Sequence, residues 1–93
     1  MIIVVLRLNG RFLGFLGKFD QSRWGLAGMF CNAHRFECSG DVFERITDAF
    51  ERMIAAVNGD TEGYSMHPMS CPDIRIDDYD KGQQFRDSLP MYL

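Results

Sequence analysis

One stretch, IIVVLRLNGRFLGFLGKF at positions 2 to 19, limits the fold more than any other part of the chain. Asn9-Gly10 sits between two apolar runs. That dipeptide favours the type I′ turn, whose two central residues both need positive φ. A two-residue loop then sets the hairpin register. Leu8 faces Arg11, Leu6 faces Leu13, Val4 faces Phe15 and Ile2 faces Gly17. Directly opposed residues share a face, so Ile2, Val4, Leu6, Leu13 and Phe15 are expected in the core. Ile3, Val5, Arg7, Phe12, Gly14 and Leu16 form the other face, which is too apolar to be left in water. It needs a cover, either from later parts of the chain or from another molecule.

The following segments supply weaker signals. Gly25 and Gly28 make the stretch after Asp20 a poor central strand, although Leu26, Met29 and Phe30 favour burial. HRFECS alternates, with His34, Phe36 and Cys38 on one side and Arg35 and Glu37 on the other. A loose hairpin turning near Cys31-Asn32-Ala33 would join the two segments. The spacing of Phe43, Ile46, Phe50, Met53, Ile54 and Val57 predicts an amphipathic helix over 42–57. Asp41 and Glu44 have capping-box spacing at its start, and Asn58-Gly59 is its expected end. Asp48 and Arg52 lie four apart on its outer side. Residues 60–72, with two prolines, read as a long loop. DIRIDDYD alternates and predicts a final strand over 73–79. One helical turn before Pro90 would dock through Phe85 and Leu89.

These elements specify a single α+β domain spanning residues 1–93. An antiparallel sheet of about four or five strands packs one face on the helix. The hydrophobic share of 46% and charged share of 25% are those of an ordinary globular chain rather than a disordered one. A net charge of −3 argues against direct nucleic-acid binding. The charge is also uneven. Residues 1–40 hold five basic and two acidic groups, whereas residues 41–93 hold five and eleven. No run reaches the roughly 20 apolar residues of a membrane span. MIIVVL is closed by Arg7 without a small-residue cleavage site, and three cysteines cannot all pair within one chain, so a reduced cytoplasmic setting is expected.

Candidate reaction chemistry is sparse. Cys31-x2-His34 and His67-x3-Cys71 have the spacing of two halves of a zinc site, with Cys38 as a spare thiol. Neither half contains a Cys-x2-Cys knuckle, and the chain has an apolar core without help from a metal. The reading without a cofactor is therefore preferred, with structural zinc as the alternative. No nucleophile elbow, phosphate loop or His-Glu-x-x-His motif is present, which favours a protein that is not an enzyme.

Two surfaces remain as candidate partner sites. Asp73, Asp77, Asp78, Tyr79 and Asp80 form a run whose carboxylates can pair with the Arg and Lys side chains that otherwise hold phosphates. Phe12 and Leu16, on the back of the hairpin, are candidate apolar anchors or a homodimer contact. A small acidic α+β domain with an Asn-Gly hairpin, one amphipathic helix and a carboxylate-rich segment resembles the phage-encoded inhibitors of bacterial defence, above all the anti-CRISPR proteins. The likeness is one of size, charge and element order. It implies blockade, in the host cytoplasm, of a host protein or ribonucleoprotein complex that binds nucleic acid. A second likeness, to HicB-type antitoxin domains, rests on the order strands, helix, strand. The long DQSRWGLAGMFCNA insert departs from that pattern.

Overall fold

Four antiparallel strands lie side by side in the order β3-β2-β1-β4, with β1 (Ile2–Leu8), β2 (Arg11–Phe19), β3 (Arg23–Ala27) and β4 (Tyr64–Ser70). The computed structural model describes residues 1–57 and 62–92. Two helices, α1 (Val42–Val57) and α2 (Tyr79–Ser88), complete the fold with a short 3-10 turn at Phe30–Asn32. The α+β class, the N-terminal hairpin and the bounds of α1 match the sequence expectation. The proposed Asn58-Gly59 helix end lies outside the described residues.

The hairpin turns at Asn9-Gly10 with φ of 52° and 83°, as a type I′ turn requires. Its register departs from the simple one. Leu8 pairs with Arg11 and Arg7 with Phe12, but Leu6 pairs with Gly14, which leaves Leu13 without a partner on β1. This β-bulge shifts the rest of β2 by one residue. Because side chains alternate, a one-residue shift moves each of them to the opposite face. Phe15 therefore faces Val5 rather than Val4. Phe15 joins the cluster of Ile3, Val5 and Phe12, whereas Leu16 joins Val4 and Leu6.

Both faces of the sheet are covered. On one, Val4, Leu6, Leu16 and Phe36 pack against Val42, Ile46, Ala49, Phe50, Met53 and Ile54 of α1. Phe43 and Val57, expected on that stripe, point outward instead, at 62% and 56% exposure. On the other face, Ile3, Val5, Phe12, Phe15 and Ala27 pack with Phe30 and Ala33. Ile74, Phe85 and Leu89 close that layer, with Phe85 edge-on to Phe30 at 5.2 Å. The back of the hairpin is thus covered by the chain itself. β1 is an apolar run because it has a neighbour on each side and a packed layer on each face.

Three elements differ from expectation. The fourth strand is Tyr64–Ser70, not 73–79. It pairs with β1 along its whole length, from Ile2 opposite Ser70 to Leu8 opposite Tyr64. As an edge strand it tolerates Pro68, whose missing N–H would disrupt a strand laddered on both sides. Residues 73–78 are bends: Ile74 N donates to Pro72 O at 2.8 Å and Asp78 N to Arg75 O at 3.0 Å. Ile74 is part of the core edge, but Ile76 is 60% exposed, so the alternation does not correspond to a strand. HRFECS forms only a two-way bridge between Phe36 and Ile2 rather than a strand, and Cys38 is exposed.

Arg7 is the one buried charged residue among those described, at 3% exposure. Its Nη1 donates to the Gly10 and Met91 carbonyls at 3.2 and 3.4 Å, and its guanidinium sits 5.9 Å from the Phe12 ring. Arg86 approaches the same ring at 5.2 Å. Both contacts pin the C-terminal segment over Phe12, where Phe12 N also donates to Met91 O at 2.9 Å.

Candidate functional site

The acidic run is brought to the surface where the bends of 73–78 lead into α2. Asp77 accepts from Arg75 Nε and Nη2, both at 3.1 Å, across an exposed pair that contributes little stability. Asp78 has a different role. Its Oδ1 accepts the Lys81 backbone N–H at 3.1 Å and so caps α2. Asp73 and Asp80 are exposed. Tyr79 stands out at 60% exposure, the same as Ile76 three residues earlier. Arg75, Asp77, Asp78, Tyr79 and Asp80 together line an open hollow of about 400 Å³.

Phe12 and Leu16 do not belong to this surface or to any other. Leu16 is fully buried under α1, and Phe12 lies beneath the two arginines described above. The expectation that they contact a partner is overturned by that intramolecular cover.

The Cys/His candidates are also separated. His34 packs edge-on to Trp24 and Phe36, at 5.0 and 4.6 Å, on the α1 side of the sheet. His67 lies on β4 opposite Val5, hence on the other side, where its Nε2 and Ser65 Oγ are hydrogen-bonded at 2.8 Å. The sheet lies between the two imidazoles. Cys71 Sγ donates to the Pro72 carbonyl, and Cys31, Cys38 and Cys71 are all free thiols. Among the described residues, no three His, Cys, Asp or Glu side chains gather as a metal site would require.

A second concavity has no continuous counterpart in the sequence. Lys18 and Trp24 face each other across the β2–β3 ladder, and the Lys18 ammonium lies 5.2 Å from the indole centroid. With His34 and Phe36 they form one wall of a cleft of about 440 Å³. Arg45, Asp48 and Arg52 of α1, at helical spacing, form the other. Trp24 lies parallel to Phe36, 7° between planes at 5.5 Å, which holds the indole in place. Burial, followed by the charges of Lys18 and Arg45, lowers the His34 pKa below its usual 6.5. At the head of α1, hydrogen bonds from Ser39 and Arg45 hold Asp41 below its usual carboxylate value. The one sequence signal for this cleft was the i, i+3, i+7 series of Arg45, Asp48 and Arg52, and nothing local linked it to Trp24.

Compared with known protein families, curated proteins and solved structures, the chain matches none. No helix among the described residues is long and apolar enough to cross a membrane.

Proposed function

We propose that this is a non-catalytic binding protein that docks its 73–80 edge onto a basic surface of a host complex, in the manner of a phage-type inhibitor acting in the host cytoplasm. What supports the reading above all is Tyr79. It is a large aromatic left 60% exposed, and it lines one open hollow with the carboxylates of Asp77, Asp78 and Asp80. An exposed aromatic within a charged rim has the composition of an interface hot spot. The rim charge favours a partner rich in Arg and Lys, and so a surface that otherwise grips phosphates. By occupying those side chains the protein would compete with nucleic acid without binding any itself.

The test pairs Asp77→Lys with Asp80→Lys, since neither residue caps a helix, and adds Tyr79→Ala separately. Affinity capture from host lysate should recover a nucleic-acid-binding complex with the native chain and lose it with either variant. The purified complex should release labelled nucleic acid as native protein is titrated in. Capture that is indifferent to the charge reversal, or a complex that keeps its nucleic acid, would sink the reading.

A further inference from the structure

The cleft between the end of the β2–β3 hairpin and α1 differs from the acidic edge in sign and in lining. Lys18, Arg45 and Arg52 bring three positive charges to it; Arg45 and Arg52 are each paired with a carboxylate, Asp41 and Asp48, and Lys18 has none among the described residues. Its volume of about 440 Å³ falls within the roughly 300–1,000 Å³ of small-molecule sites.

The hydrogen bonding leaves donors in reserve. Arg52 commits Nε to Asp48 at 2.9 Å, so neither Nη group has an acceptor among the described residues. Arg45 uses Nε on Asp41 and Nη2 on the Glu37 carbonyl and Ser39 Oγ, which leaves Nη1. The Lys18 ammonium makes its contact with the face of an aromatic ring rather than with a carboxylate. His34 is held neutral near pH 7, so it can offer one N–H and one lone pair without adding charge. Ammonium and guanidinium groups with unused N–H donors beside an anchored indole suit a ligand with a multiply charged anionic end and a flat body.

We propose that this cleft binds a phosphate-bearing small molecule of nucleotide size, with its phosphates on Lys18, Arg45 and Arg52 and its ring body on the Trp24 face that the Lys18 ammonium leaves as it turns to the phosphates, the indole being stacked on Phe36. A nucleic-acid strand fits less well. The basic surface is one short cleft, and Asp48 and Asp41 interrupt it within one or two helical turns of the arginines, whereas strand binding needs a continuous basic track.

Trp24 is the chain's one tryptophan, so its fluorescence reports on the cleft directly. Adenosine diphosphate and pyrophosphate should each produce a saturable change that weakens as salt rises. Adenosine, which lacks the phosphates, should produce none. Lys18→Glu and Arg52→Glu, both at exposed positions, should each weaken binding by about tenfold or more through loss of a charge-assisted contact. Asp77→Lys with Asp80→Lys should leave the titration unchanged, which separates this site from the proposed partner edge. The absence of a saturable change with either phosphate compound up to about 10 mM, weaker than any useful affinity, would overturn the proposal. So would equal affinity in Lys18→Glu and Arg52→Glu, or an equal response to adenosine.

Discussion

Asp78 Oδ1 accepts the backbone N–H of Lys81 at 3.1 Å, so one carboxylate of the acidic run closes the first turn of α2 instead of facing outward. α2 is only ten residues long and largely polar, and a helix that short is marginal without caps and tertiary contacts. It also positions Phe85 against Phe30, so a frayed start would loosen one of the two cores. Asp78→Ala is expected to cost about 1 kcal/mol in urea unfolding, and Asp78→Asn clearly less, because Asn retains a capping oxygen. Equal losses for the two variants would assign the effect to charge rather than to the cap.

Gly14 follows the bulge, next to the Phe15–Ala27 pair that opens the β2–β3 ladder. A Cβ there would stand 2.5 Å from the Ala27 carbonyl oxygen, which is fixed backbone. Gly14→Ala should therefore destabilise the domain by about 2 kcal/mol, as overpacking of a tight interior does. Gly28 provides the control, since a Cβ there meets nothing within 4 Å. Gly28→Ala should stay within about 0.5 kcal/mol of the native chain. Chemical denaturation of the two variants side by side checks both values.

His34 links stability to pH. Its folded pKa lies below the 6.5 that the unfolded chain regains, so between those two values the unfolded state binds the extra proton. The contribution is complete above 6.5 and is lost as pH falls toward the folded value. The groups that face or line this site are Lys18 from β2, Trp24 from β3, and Arg45, Asp48 and Arg52 from α1. Asp41 has the same sign in a lower window: its contribution is present above 3.8 and disappears as pH falls through its folded value. Urea midpoints measured as a function of pH should decline in two steps. His34→Gln should flatten only the upper step and Asp41→Asn only the lower.

Much of the fold was legible in the chain because its signals are local. The Asn9-Gly10 turn needs two residues with positive φ. The α1 stripe needs apolar residues three and four apart, and the Asp48–Arg52 pair needs one helical turn, realised at 2.9 Å. The site was less legible. The acidic run was visible as composition, but the role of Asp78 depends on α2 starting at Tyr79. Alternation in DIRIDDYD favours a strand there instead. Trp24, Lys18 and Arg52 are separated by up to 34 positions and come together only through a hairpin and a helix crossing.

The amino-acid order alone settled the type of most elements, since turn chemistry and helical periodicity act over a few residues. Tertiary structure decided which of two segments, 64–70 or 73–79, forms the fourth strand, and on which face Phe15 and Leu16 lie. A single unpaired residue, Leu13, reverses that second choice, and its cost is offset only when both faces of the sheet find something to pack against. Strand pairing between residues some sixty positions apart is likewise set by the competition of whole surfaces for burial, to which no local pattern has access.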